Sequence, residues 1–433
     1  MTDPERIASE GLPPVTRPPR SAYLHIPFCH RRCFYCDFPV VPLGDRADGA
    51  GGPGSASIRA YLNLLHREIA AAPAGPPLAT VYLGGGTPSL LAPEQVAVLL
   101  AALDQRFGRM PGAEVTLELD PASFDEARLA AYLEAGVNRV SLGGQSFDDA
   151  VLAGLGRRHR GADLGQACAW LRAAQRRGDL ASWSLDLIQG LPGQTLAHWD
   201  GQLERAIASG APHLSVYDLI VEPGTVFERR WQRGDLDLPD DDLAADLMEH
   251  TGRRLAAAGY GRYEVSNHAL PGHASRHNRV YWSGAGWWGF GMGATSAPHG
   301  VRTARPRTRE GYAAWLAEGA PQALEPGAPR GMPADERLLV GLRRREGVNL
   351  AALAAEHGLD PVALNGLRVQ LAPFEHRGLL VVEGPRWRLS DPEGLALSNA
   401  VLRELLAWWA SAGPGSSPAG PPPPVPARPA AVG

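Results

Sequence analysis

The chain has no lysine: all 42 of its basic side chains are arginines. A Schiff-base lysine and a lysine general base are thereby excluded. Cysteine is scarce too, at four in 433 residues. That is too few for a disulfide framework and fits a reducing cytoplasm. No apolar run approaches the roughly 18–20 residues of a membrane-spanning helix. The proline-rich N-terminus lacks the apolar stretch of a secretory signal. A formal net charge of −4 supplies no general attraction for nucleic acid, so no nucleic-acid partner is expected.

What is present is length and alternation. The chain is long enough for two or three domains. Residues 1–20 are rich in proline and charge and are expected to be unstructured, and the glycine-rich stretch 44–55 reads as a flexible loop. Residues 411–433 hold too little apolar surface to offset ordering entropy and read as a disordered Pro/Ala/Gly tail. Between them, β-type runs recur at 21–28, 80–84, 114–119, 139–143, 183–188 and 213–221, with amphipathic helical segments such as 94–106 and 195–208 between runs. This is the pattern of right-handed βαβ units and a parallel sheet. Six strands are fewer than a closed eight-stranded barrel needs, so the α/β fold expected is a partial (β/α)6 barrel over 21–235. A core extension follows over 236–330, then a winged-helix-like domain over 331–410 with three helical segments and a strand–turn–strand at 379–389. That last domain is expected to pack on the core over the substrate opening. Its Arg343-Arg344-Arg345 cluster keeps DNA contact as the alternative.

The unusual residues sit at strand ends. Cys29, Cys33 and Cys36 follow the first strand in HIPFCHRRCFYCDF (25–38), Gly84-Gly85-Gly86-Thr87-Pro88 ends the second, and Glu118 ends the third. Gln145 ends the fourth and Asp186 lies late in the fifth. In parallel α/β folds the C-terminal strand ends form the active face, so the common placement points to one site. Three thiols in one loop admit three readings. Structural zinc needs a fourth ligand, for which His25 or His30 is available. A disulfide leaves an odd thiol. A four-iron cluster on three thiolates leaves one iron open to an outside chelator. The fourth cysteine, Cys168, lies in an apolar helical segment and is expected to be a buried small hydrophobe.

C-x3-C-x2-C at the end of a first barrel strand resembles the radical S-adenosylmethionine (SAM) superfamily. That resemblance implies a [4Fe-4S] cluster held by Cys29, Cys33 and Cys36. In that superfamily SAM chelates the open iron through its amino and carboxylate groups, and electron transfer from the cluster cleaves it to a 5′-deoxyadenosyl radical. The motifs YLHIPFC (23–29), GGGTPS (84–89), LELDP (117–121), GGQSF (143–147), LGR (155–157), DLIQGLP (186–192) and EPGT (222–225) are similar to the oxygen-independent coproporphyrinogen III dehydrogenase (HemN-like) family, over about residues 21–390. By that resemblance Tyr23, Tyr35, Gly85, Gly86, Thr87, Glu118, Gln145, Arg157 and Asp186 contact SAM. The glycines admit its methionine end, the carboxylates accept from ribose hydroxyls or the ammonium, and Arg157 forks onto its carboxylate. Gly144 and Gln189 depart from the family's usual valine and tyrosine.

Two branches of that family part here. The dehydrogenases carry a further cysteine where this chain has Phe38, and a longer N-terminal extension. HNRVYW (277–282) is similar to the HNxxYW signature of the HemW-type heme chaperones. Members of that branch bind heme and deliver it to recipients such as respiratory cytochromes, and peripheral membrane association is compatible with that task. The resemblance makes His277, Asn278, Tyr281 and Trp282 candidates for heme contact. His277 suits iron or a propionate, and the rings suit a porphyrin face. A satisfied histidine in a tryptophan-rich core explains the same residues. The glycines of GWWGFGMG (286–293) are expected to admit a cofactor closely. The competing expectations are radical oxidative decarboxylation of coproporphyrinogen III and a winged-helix regulator sensing iron–sulfur status.

Overall fold

Strand propensity and alternation produce a sheet with two different faces. The computed structural model describes residues 18–44, 53–319 and 331–412. The expectations for residues 1–17, 45–52 and 413–433 lie outside the described residues. Six parallel strands run in sequence order: β1 (Ser21–Ile26), β2 (Leu78–Gly85), β3 (Arg109–Leu119), β4 (Arg139–Gln145), β5 (Ser182–Gln189) and β6 (His213–Asp218). Antiparallel β7 (Gly261–Glu264) and β8 (Asn267–Ala269) extend the far edge in the order β6-β8-β7, and β9 (Trp288–Phe290) joins β1 in parallel at the near edge. Among the described residues these nine strands form an open sheet and no closed barrel.

The helical segments α1 (Pro53–Ala71), α2 (Pro93–Arg106), α3 (Glu126–Glu134), α4 (Gly161–Arg177) and α5 (Leu196–Ala208) are the crossovers. Helix α1 begins at Pro53, inside the stretch read as a flexible loop, and proline suits a helix's first turn. On the outer face Leu24, Val81, Leu83, Leu117, Val140, Leu142, Trp183, Leu185 and Leu214 are buried together in the main core, each worth about 1.5–3 kcal/mol in burial. Cys168 on α4 is part of it. The alternate residues turn inward and are polar: Tyr82 bonds Glu118, Ser141 bonds Ser184 and Asp186, and Arg139 bonds Ser182. The period of two therefore separates an apolar shell from a polar lumen.

The glycines of 286–293 serve protein packing and not a cofactor. A Cβ at Gly289 would lie 2.1 Å from the Thr295 carbonyl oxygen, and one at Gly286 would lie 2.6 Å from that of Pro298. Backbone fills the space the sequence suggested for a ligand.

Residues 331–412 form a second core around Leu338, Leu353, Leu367, Leu371, Trp387 and Leu405. Helices at Ala334–Leu342, Leu350–His357 and Asn365–His376 accompany a three-stranded antiparallel sheet with its hairpin at Leu380–Glu383 and Arg386–Leu389. A further helix, Ser398–Ala412, carries ordered structure two residues into the stretch read as tail. This unit does not cover the opening as expected: among the described residues none beyond Glu222 lines the cleft described below. It packs at the opposite end, where Arg337 donates to the Ser283 carbonyl (2.8 Å) and Arg279 pairs with Glu346 (2.6 Å). Arg344 bridges to Glu264 on β7, and the Arg345 amide bonds the Tyr263 carbonyl, so the basic cluster is turned partly toward the sheet.

Candidate functional site

A cavity of about 480 Å³ opens at the C-terminal strand ends. Cys29, Cys33, Cys36, Tyr35, Gly85, Gly86, Thr87, Glu118, Gln145, Arg157 and Asp186 all line it. Tyr23 does not; it lies one layer deeper, stacked on Tyr82 with ring centroids 6.1 Å apart.

The cysteine loop is held by backbone. Phe28–Cys29 pairs in parallel with Val41–Pro42, the Cys36 amide bonds the Cys33 carbonyl (3.3 Å), and the Phe34 amide bonds that of Leu155 (3.0 Å). All three thiols are free and half-buried. The Thr87 hydroxyl donates to Cys29 Sγ (3.6 Å) and Arg157 Nη1 to Cys33 Sγ (3.9 Å). Burial pushes the Cys29 thiol up to about 12 and raises that of Cys36, so metal binding must displace their protons.

The zinc reading finds no support in this geometry. His25 is buried with both ring nitrogens engaged, Nδ1 by the Tyr23 hydroxyl (2.9 Å) and Nε2 by the Pro39 carbonyl (3.0 Å). Among the described residues no three His, Cys, Asp or Glu side chains converge closely enough to hold one metal ion. A four-iron cube asks for no such convergence, because each thiolate addresses a different iron. Three separated thiols around one cavity, with N–H and O–H donors aimed at two sulfurs, fit that group.

Glu118 accepts from the Tyr82 hydroxyl (2.8 Å) and the Gly85 amide (2.9 Å). Burial, only partly offset by those two bonds, raises its carboxyl to about 7. Asp186 is raised by burial against hydrogen bonds from Ser215 and Ser141, and its Oδ1 is buried without a partner. Gln145, at a bulge between β4 and β5, is the one described non-glycine residue with a left-handed backbone (φ 64°), a conformation associated with functional strain. Arg157 donates to Asp120 Oδ2 (2.7 Å) and the Gly143 carbonyl (2.8 Å), while its buried Nε has no partner. Although burial pushes the other way, Arg157 and His159 hold Asp120 well below the usual carboxylate range.

Asp120 and Tyr82 are functional neighbours that motif reading passed over. Period two from Glu118 puts Asp120 on the lumen face, and period two from Gly84 puts Tyr82 there, so both were findable.

HNRVYW lies elsewhere. Helix α6 (Arg276–Ser283) plugs the N-terminal end of the barrel. Ser275 caps it, and Glu114 accepts from the amides of Arg276 (3.0 Å) and His277 (2.8 Å). His277 is buried, with Nδ1 at 2.7 Å from the Thr80 hydroxyl and Nε2 at 2.8 Å from that of Tyr281; burial lowers it to about 3. Asn278 donates to the Tyr263 hydroxyl and Glu264, and Tyr281 meets Trp287 edge-on at 4.9 Å. None of His277, Asn278, Tyr281 and Trp282 lines the cleft. His273 stands before the helix, with Nδ1 at 3.0 Å from the Ser182 hydroxyl.

Comparison with known proteins places these features. The model of the radical SAM superfamily matches residues 23–206, and that of the HemN C-terminal domain matches 333–396. The chain is 40% identical over 412 residues to the heme chaperone HemW of Synechocystis, covering 90% of this chain and 97% of that protein. It is 38% identical over 398 residues to the heme chaperone HemW of Mycobacterium tuberculosis, covering 92% and 97%. The solved coproporphyrinogen III oxidase HemN of Escherichia coli, a radical SAM enzyme, shares the fold with a TM-score of 0.72 at 22% identity, over 90% of this chain and 91% of that one.

Proposed function

Because this chain belongs to the HemW family of heme chaperones, within the radical SAM superfamily, we propose that it binds heme and passes it to acceptor proteins, using the cleft that carries its iron–sulfur cluster and SAM. Cys29, Cys33 and Cys36 hold the cluster. Gly85, Gly86, Thr87, Glu118, Gln145, Arg157 and Asp186 bind SAM, with Tyr35 beside it and Tyr23 behind. When bound, cluster and SAM supply a one-electron centre; the side chains named here position that pair.

One observation favours the mouth of the cleft for heme. Of seven exposed large hydrophobic side chains among the described residues, three line this cavity: Phe38 (49% exposed), Tyr217 (45%) and Ile220 (56%). Apolar surface gathered at one rim marks a binding site. Arg31 and Arg32 flank it, anchored on the carbonyls of Arg157 and Phe38, with further N–H donors for propionates. Asp37 and Glu222 share the mouth and keep its field mixed. Phe38, which stands where the dehydrogenases have cysteine, thereby acquires a role of its own.

Heme contact by His277 would require α6 to leave the barrel floor, stripping partners from Thr80 and Glu114, a cost of several kcal/mol. The three reduced thiols suit a cytoplasmic setting. Among the described residues no helix is long and apolar enough to cross a membrane. We assign respiratory cytochromes as recipients, with peripheral membrane contact during transfer.

The test is anaerobic heme titration of cluster-loaded protein. Saturable uptake is expected, about tenfold weaker or worse when Phe38 and Ile220 are both replaced by serine. Undiminished uptake in that variant removes heme from the rim. Incubation with coproporphyrinogen III, SAM and a reductant should yield no protoporphyrinogen; its formation would make the chain a dehydrogenase.

A further inference from the structure

The HNRVYW segment lies at the barrel floor, away from the cleft, yet it touches the cleft through one side chain. Tyr82 is sandwiched, its ring stacked on His277 (centroids 5.2 Å, 26° between planes) and on Tyr23 (6.1 Å, 26°). Its hydroxyl leaves that stack to donate to Glu118 Oε1 at 2.8 Å. Glu118 uses its other oxygen on the Gly85 amide, at the head of the glycine run. Below Tyr82, His277 cannot slide: Thr80 and Tyr281 hold its two nitrogens, and Glu114 holds the helix N-terminus. A neutral imidazole offers one donor and one acceptor, and the two hydroxyls can serve either.

We propose that His277 and Tyr281 are positioning residues for SAM: the HNxxYW helix braces Tyr82 from beneath, and Tyr82 fixes Glu118 and the glycine turn against the ligand. The motif then acts on SAM at a distance, without touching heme. Ring contacts on Tyr82 from His277 and Tyr23 add packing that its single hydrogen bond to Glu118 lacks. Supporting a ligand-binding carboxylate through a packed neighbour is the same device that orients metal ligands. The inference rests on the proposed function at two points: Glu118 as a SAM contact and heme docking away from α6.

The test measures SAM affinity, cluster content, heme uptake and melting temperature on the same anaerobic preparations. Tyr82→Phe keeps the ring and deletes the hydroxyl. It should weaken SAM binding about tenfold, the loss of one hydrogen bond to a carboxylate, with cluster content and heme uptake unchanged. It should also move the pH profile of SAM binding upward, because a bond favouring ionised Glu118 is gone. The other titratable groups facing Glu118, namely Asp186, Tyr23 and Tyr281, are intact in that variant. His277→Ala should weaken SAM similarly while heme uptake stays at the wild-type level. Unchanged SAM affinity in Tyr82→Phe overturns the proposal, whether or not the histidine variant folds. So does a histidine variant that loses heme and keeps SAM.

Discussion

Glu118 carries the sharpest consequence at the scale of single residues. Its carboxyl is raised to about 7 by burial, above the usual 4.5. Without a cationic ligand, ionising it in place is costly, so its contribution to stability is present below its unfolded value and is lost as pH rises through about 7. The span between those values corresponds to roughly 3 kcal/mol at most. With Glu118 in the SAM contact proposed above, the ligand's ammonium and hydroxyl donors would reverse the preference. Melting temperature of the SAM-free protein should therefore fall between pH 5 and 8, while SAM affinity should rise over the same range. Glu118→Gln should flatten both trends, and a variant that melts with the wild-type pH slope would exclude Glu118 as their source. Asp120 illustrates the opposite environment: paired with Arg157 at 2.7 Å, it stays ionised and steers that guanidinium toward Cys33.

At the scale of elements, the parallel strands were legible because β-branched and leucine-rich runs alternate with polar residues and are spaced by helical segments. Six of the six expected runs became β1 to β6. What was not legible depends on contacts distant in sequence. Strand β9 is three residues of a glycine–tryptophan run and becomes a strand only against β1. Helix α6 is eight residues long and polar. It forms because Ser275 caps it and Glu114, over 160 residues earlier, neutralises its first turn. The site showed the same division. Thiols, glycines and strand-end carboxylates were visible as motifs, whereas the burial of His277 required knowing which end of the barrel its helix enters. Glu114→Gln keeps an acceptor but removes the charge that complements the helix dipole, a loss of about 1 kcal/mol. Its signature should be local: faster hydrogen exchange at the amides of 276–283, with exchange in β2 and β3 unaltered. Uniform acceleration across the barrel would mean that the carboxylate supports the sheet and not the helix.

For the whole molecule, the decisive fact is that ligand cleft and C-terminal unit occupy opposite ends of one barrel. The two cores are separate, and polar contacts at α6 and β7 help to join them. Arg337 is central to it: 3% exposed, it donates to the Ser283 carbonyl at the end of α6 (2.8 Å) and pairs with Glu356 at 3.1 Å. Burial lowers the guanidinium's hold on its proton, and Glu356 offsets only part of that. Glu356 keeps solvent access, so removing the guanidinium chiefly leaves the Ser283 carbonyl and the space around it unsatisfied, a cost of about 1–3 kcal/mol. Arg337→Ala should therefore lower the urea midpoint substantially. Because the unit contributes nothing to the cleft, cluster content and heme uptake per folded molecule should be retained. Loss of heme uptake at full folding would show instead that the distant unit shapes the mouth, and would reverse the division of labour between the two ends.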